Sequence, residues 1–282
     1  MSHPLRQKIR NLSASELSIP LSWAAAEGWN PGLNDAGAFY AADPSGFFIG
    51  EIDGQPVSAI SAVRYNSSFG FIGLYIVRPE WRGKGFGKQI FDHALKYLRP
   101  CNIGLDGVLA QVGNYDKSGF KTAYRNIRFE LKGGNGKKSP EVEMLDLSHI
   151  APINAFDRTC FPVPREDFLR RWIALPEHRC FGFYEHHNLG GYAVVRPCAT
   201  GFKIGPLFAR ELRGARALLE TILIQFVDQS VFLDPPEPNT AAVRLAESLG
   251  GKRVFETARM YSGSIPAVDM NRIFGITTFE LG

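Results

Sequence analysis

The chain has 282 residues, 45% hydrophobic and 12% aromatic, which is long for one compact unit and sufficient for two packed cores. Its formal net charge of +4 is dispersed, with no dense Lys/Arg block, so it suits a polyanionic small molecule and argues against nucleic acid as a partner. Cys101, Cys160, Cys180 and Cys198 form no Cys-x-x-Cys pair, no apolar leader opens the chain and no apolar stretch could cross a bilayer; a soluble, reduced, cytoplasmic protein away from membranes is expected.

In chain order, helical segments are expected over 15–27 and 35–42, then a hairpin of strands 47–52 and 57–65 turned by Asp53-Gly54. Residues 69–77 read as a buried strand. Ile90, Phe91, Ala94, Leu95 and Leu98 recur at helical spacing, so 88–98 is an amphipathic helix packed on a sheet. Between them lies Arg82-Gly83-Lys84-Gly85-Phe86-Gly87-Lys88. Its glycines allow close backbone approach, and the free amides of a helix start, with Arg82, Lys84 and Lys88, favour an anion. A turn of this composition is also how a strand passes tightly into a helix. The dinucleotide fingerprint fails because position 88 is Lys, and the nucleoside-triphosphate loop fails because Gly87-Lys88 is followed by Gln89.

A strand near 103–110, a short helix through Asn114-Tyr115-Asp116-Lys117-Ser118 capped by Gly119, and a strand over 121–131 complete the first half. The Gly- and Lys-rich run 132–140 reads as a linker, giving domains 1–131 and 141–282. The second half repeats the first at an offset of about 131 residues: Gly250-Gly251-Lys252 and Arg259 answer Gly119-Phe120-Lys121 and Arg128. The strand at Ile204 to Phe208 and an apolar helix face at Ala217, Leu218, Ile222 and Leu223 persist. Arg213-Gly214-Ala215-Arg216 lacks the later glycines, and Ala246 stands where Tyr115 stood. The second domain is therefore expected to keep the framework without the cofactor loop.

Arg82-x-x-Gly85-x-Gly87, preceded by Val77-x-Pro79, resembles the pyrophosphate loop of the GCN5-related N-acetyltransferases (GNATs). Tyr115 followed by Gly119-Phe120 resembles that family's second signature, and Glu27-Gly28-Trp29-Asn30-Pro31-Gly32 with Asp35 resembles the opening of a two-part subgroup that includes an uncharacterised Bacillus acetyltransferase-like protein. Gly107 and Ala110 or Gln111 occupy the region where the family places an Asn and an Ala before the tyrosine. The resemblance implies an α/β fold of tandem GNAT-like domains, each a mixed, mostly antiparallel sheet flanked by helices, the second degenerate. It also implies acetyl-coenzyme A as cosubstrate, no metal, and a small-molecule or peptide amine as acceptor. Its cofactor contacts carry over to Tyr75, Ile76 and Val77, through backbone amides, and to Arg82, Gly83, Lys84, Gly85, Phe86, Gly87 and Lys88. Trp29 and Asn30 would border the acceptor.

Acetyl transfer to an amine needs a proton donor for the departing thiolate, and Tyr115 is the candidate. No base is assignable from sequence; Glu27, Asp35, Glu51 and Asp106 are conceivable, with a solvated or capping role favoured for each. No cysteine has a recognisable histidine partner nearby in sequence, so direct attack in a ternary complex is expected. The rival reading is a non-enzymatic acyl-coenzyme A binding protein. His186-His187 reads as a surface loop rather than a metal site.

Overall fold

A computed structural model describes residues 6–282. Its strands are β1 (Lys8–Asn11), β2 (Phe47–Ile52), β3 (Gln55–Arg64), β4 (Phe69–Val77), β5 (Asn102–Val108), β6 (Lys121–Lys132), β7 (Val142–Leu145), β8 (Arg179–Glu185), β9 (Asn188–Pro197), β10 (Phe202–Ala209), β11 (Ser230–Leu233), β12 (Lys252–Tyr261) and β13 (Ile273–Gly275). Its helices are α1 (Ser18–Ala26), α2 (Asp35–Ala42), α3 (Phe86–Tyr97), α4 (Val112–Lys117), α5 (Ile150–Asp157), α6 (Glu166–Ala174), α7 (Leu212–Leu223) and α8 (Thr240–Ser248). The local patterns place these elements closely: the alternating apolar runs form strands, and the amphipathic repeat after Gly85 forms α3 with Ile90, Phe91 and Ala94 buried.

All the strands join one sheet in the order β1-β2-β3-β4-β5-β12-β6-β11-β10-β9-β8-β7, with β13 attached to β10. Among the described residues only β4–β5 and β10–β11 pair in parallel. The order is symmetric about β12 and β6, and those two strands are exchanged. β12 comes from the second half yet closes the first half's sheet against β5, while β6 comes from the first half and closes the second's against β11. The sequence repeat is thus a repeat of structure, with each half completed by the other.

One core lies under α3 and α4, where Phe48, Ile72, Ile90, Leu105, Phe120 and Met260 pack. A second lies under α7 and α8, around Ile204, Leu218, Ile222 and Leu245. The largest belongs to both halves: Phe39 of α2 stacks on Trp172 of α6 at 6.1 Å, in a cluster that also holds Leu74, Tyr192, Phe279 and Leu281. The joining segment after β6 is pinned rather than trailing. Gly133 N donates to Gln229 O at 2.8 Å and Gly134 N to Leu223 O at 2.7 Å. A Cβ on Gly133 would lie 1.8 Å from Phe226 O, so that approach needs glycine.

Candidate active site

The site begins where β4 and β5 part. They pair from Phe69 opposite Asn102 to Ile72 opposite Leu105 and no further. Beyond that point β5 stays on β12 and β4 stays on β3, so the β5-facing backbone of residues 73–77 has no strand partner. A bulge sharpens the divergence. Ile60 of β3 faces both Leu74 and Tyr75, and Leu74 has φ +44. A cleft of about 450 Å³ fills the opening. Backbone amides freed from a sheet in this way can receive a carbonyl oxygen that gains negative charge.

The turn from β4 to α3 forms one rim. Gly83 and Gly85 have φ +75 and +85, in the left-handed region, and Gly85 caps α3. Gly87 contributes differently, by leaving room: a Cβ there would lie 2.7 Å from the Tyr75 hydroxyl. Arg82 Nε donates to Val77 O at 2.9 Å, and its guanidinium pairs with Glu27. Lys88 pairs with Asp92 one turn on, at 2.6 Å. The glycine turn, the α3 N-terminus and these cations suit a diphosphate.

Tyr115 projects from α4 into the cleft. Its ring meets Tyr75 at 6.4 Å, Phe91 at 5.9 Å and Phe120 at 6.4 Å. Space for that ring comes from Gly107, where a Cβ would lie 2.6 Å from Tyr115 Cε2. Burial pushes the Tyr115 phenol well above its ordinary pKa, and Tyr75 adds to the effect. Tyr75 is itself pushed up to about 12, first by burial and then by Asp92. Tyr115 therefore stays protonated at neutral pH.

The opposite wall comes from the second half and from α1's end. Phe255 and Thr257 of β12, with Phe279 and Glu280, line the cleft together with Trp29. Arg128 ties this wall together. Its guanidinium forks onto Asp234 at 2.8 Å and 2.8 Å, donates to Trp29 O at 2.8 Å and lies 4.5 Å over the Phe279 ring. Asp106, on the cleft floor, is held by Arg259 at 2.8 and 2.7 Å and by Asn126 at 2.8 Å.

The matching opening of the second half is filled. β10 and β11 part after Ile204 and Leu233, and β13 occupies the gap with Leu207 opposite Gly275 and Phe208 opposite Ile273. The connection from β10 to α7 shrinks to Arg210 and Glu211, and Glu211 places an acid where the first half has Gly85. Ala246 is buried in α8.

Among the sequence-expected contacts, Tyr75, Ile76, Val77, Arg82, Gly83, Gly85, Gly87, Lys88, Tyr115 and Trp29 line the cleft. Three do not. Phe86 is fully buried beneath Trp81, with ring centroids 5.6 Å apart, because its position in the first turn of α3 faces the core. Lys84 Nζ lies 4.6 Å over the Trp81 ring. Asn30, at φ +52, clasps the second half: Nδ2 donates to Thr200 O at 2.9 Å and Oδ1 accepts from Thr200 N at 3.0 Å. The conceivable bases are engaged too, Glu27 with Arg82, Asp35 with Arg196 at 2.9 Å and Glu51 with Arg10 at 2.7 Å. His186 and His187 form the β8–β9 turn at φ +47 and +64. Among the described residues no group of three or more His, Cys, Asp or Glu could hold a metal ion, and no helix is long and apolar enough to cross a membrane.

Sequence reasoning missed Gly73, Phe255, Thr257, Phe279 and Glu280. One signal was present: Gly73 interrupts an apolar strand, which marks close backbone approach. Its partner lay far along the chain and left no local trace.

The chain is similar to known acetyltransferases over both halves. A family model described as Acetyltransferase (GNAT) family matches residues 8–120, and one described as Acetyltransferase (GNAT) domain matches residues 153–275. Holothin acyltransferase of Pseudoalteromonas sp. (strain SANK 73390) is 29% identical over 272 residues, covering 96% of this chain and 92% of that protein. The crystal structure of an acetyltransferase candidate from Pyrococcus horikoshii superposes with a TM-score of 0.85 at 22% identity, over 100% of this chain and 98% of the other. A tandem GNAT protein from the clavulanic acid biosynthesis pathway gives 0.63 at 14% identity, over 92% and 99%. At such identities these two structures bear on the fold alone. With a GNAT model on each half and an acyltransferase aligned along nearly its whole length, the chain belongs to the GNAT superfamily as a two-domain acyltransferase.

Proposed function

We propose that the chain transfers an acetyl group from acetyl-coenzyme A to a primary amine by direct attack in a ternary complex, using the cleft of the first half. The observation that carries this reading is the parting of β4 from β5 after Ile72, flanked by the glycine turn on one side and Tyr115 on the other. Acetyl-coenzyme A supplies an activated acyl group and a thiolate leaving group. Gly83, Gly85 and the first amides of α3, with Arg82 and Lys88, hold its diphosphate. The unpaired backbone of Tyr75 to Val77 accepts the thioester and stabilises the oxyanion. Tyr115 gives its proton to sulfur as the carbon–sulfur bond breaks.

The division of labour follows from the same features. Residues 1–131 carry the donor chemistry, 132–140 join the halves, and 141–282 bind no coenzyme A while building the acceptor wall. The acceptor is a small molecule, a reading supported by the relative named for acyl transfer to holothin. Four buried free cysteines fit the reducing cytoplasm.

Calorimetric titration with acetyl-coenzyme A tests the core of the proposal. One equivalent should bind. Stoichiometry of two, or loss of binding on altering residues 210–213 rather than 82–88, would place the donor in the wrong half.

A further inference from the structure

Residues 276–282 run from β13 in the second half to the cleft of the first, and they are fastened along their length. Ile276 N donates to Asp234 O at 3.0 Å and Arg165 Nη2 to Thr277 Oγ1 at 2.8 Å. Thr278 Oγ1 accepts from Glu280 N at 3.2 Å and from Leu281 N at 2.9 Å, and the Tyr65 hydroxyl donates to Leu281 O at 2.9 Å. The Glu280 carbonyl passes so close to β4 that a Cβ on Gly73 would lie 2.0 Å from its oxygen. Gly73 is the first residue of β4 beyond the last pairing with β5. The segment thus delivers Glu280 to the opening itself.

Glu280 is only 3% exposed, it lines the cleft, and its Oε1 is buried with no hydrogen-bond partner. Such an oxygen is costly unless something completes it. Arg128 on β6 and Lys203 on β10 are within electrostatic reach of Glu280. Both point their donors elsewhere, Arg128 to Asp234 and Trp29 O, Lys203 to Asn30 O at 2.7 Å. The other cleft acids, Glu27 and Asp106, are paired with arginines. Thr257 Oγ1, on the same wall, is also buried without a partner. Two residues of the cleft lining, Glu280 and Thr257, thus carry a buried polar atom without a partner, and the rings of Trp29, Phe255 and Phe279 line the same cleft.

We propose that Glu280 is the base of the reaction, and that the acceptor is a primary ammonium carried on a flat, apolar body seated among those three rings. This rests on the acyl transfer proposed above and supplies its missing proton acceptor. A lysine-like ammonium, with a pKa of about 10.4, must lose a proton before it can attack. Glu280 takes that proton and later releases it to solvent. The amine lone pair then forms the carbon–nitrogen bond, the carbon–sulfur bond breaks, and sulfur takes the Tyr115 proton. The second proton lost by nitrogen restores the phenol, so one proton is released per turnover.

The test compares two amines on one ring system. Tryptamine is protonated at neutral pH, whereas 5-aminoindole presents an arylamine that is already neutral. Glu280→Gln and Glu280→Asp are measured beside wild type for acetyl-coenzyme A affinity by calorimetry, tryptamine affinity, turnover of both amines and thermal midpoint. Glu280→Gln should bind acetyl-coenzyme A as wild type does, bind tryptamine at least about tenfold more weakly, and lose about 10²–10⁴-fold in tryptamine turnover. It should lose less than about tenfold with 5-aminoindole. Glu280→Asp should keep part of the tryptamine rate. Equal losses for the two amines, or a lowered midpoint with unchanged turnover per folded molecule, would overturn the assignment, as would a wild type that binds acetyl-coenzyme A but acetylates neither amine. Failure of wild type to bind acetyl-coenzyme A would strike the underlying reading instead.

Discussion

At the scale of single residues, the test of the donor site is the Tyr115 hydroxyl. Tyr115→Phe keeps the ring contacts with Tyr75, Phe91 and Phe120 and removes only the hydroxyl that would donate the proton. Turnover should fall about 10²–10⁴-fold while acetyl-coenzyme A affinity and thermal midpoint stay near wild type, measured by steady-state kinetics, calorimetry and thermal denaturation. A second residue governs acid stability. The His178 side chain is fully buried against Trp172, and burial followed by Arg196 pushes its pKa down from 6.5 to about 4. The unfolded chain takes up a proton below about pH 6.5 that the folded chain refuses until about pH 4. Its contribution is whole above that window and is lost as pH falls through it, by at most about 3 kcal/mol. Urea denaturation at pH 7 and pH 5 should show wild type losing stability that His178→Phe does not lose.

At the scale of elements, the turn before α3 owes its shape to backbone conformation. A Cβ on Gly85 would meet nothing within 4 Å, so the cost of Gly85→Val is the left-handed φ of +85 rather than crowding. That cost, about 1–2 kcal/mol or more for a β-branched residue, should flatten the loop and weaken acetyl-coenzyme A binding by about tenfold or more in calorimetry. This turn was fully legible in the sequence because its signals are local: three glycines, a strand before them and an amphipathic helix after. Tyr115 was legible for the same reason, four residues ahead of Gly119-Phe120. Glu280 was not. Its relation to Gly73 spans most of the chain, and neither residue announces the other. Phe86 shows a subtler limit, since motif spacing placed it in the loop while helical periodicity, read one turn earlier, turns it into the core. The filled second opening was half legible: the missing glycines were visible, but β13, which occupies the gap, was not.

At the scale of the whole molecule, the exchange of β6 and β12 makes the halves one folding unit. β12 brings Ala258, Met260 and Tyr261 into burial between β5 and β6, and the core around Trp172 draws side chains from both halves. Without β12, the first half would present unpaired edges on β5 and β6 and an uncovered apolar face. Chemical denaturation should therefore show a single transition by far-UV circular dichroism and by tryptophan fluorescence. A fragment of residues 1–140 made alone should be unfolded or aggregated, and co-expression with residues 141–282 should restore a soluble complex. Two separated transitions, or a folded fragment, would show the halves to be independent. The sequence repeat revealed the two-fold plan, but a strand reads the same whichever half it serves, so the exchange had no signature to find.

The cleft is assembled from distant stretches of chain, among them 72–88 at the glycine turn and 255–280 from the second half, with Trp29 and Tyr115 contributed by two further segments. Either of the first two can be altered while the other is left intact. A graft of residues 252–282 from a relative would replace Phe255, Phe279 and Glu280 while leaving the sequence of the glycine turn unchanged, and a graft of 78–88 would do the reverse. On the proposed reaction, choice of amine and choice of thioester become separable handles for an engineer, provided every transplanted strand still finds its place in the sheet of the opposite half.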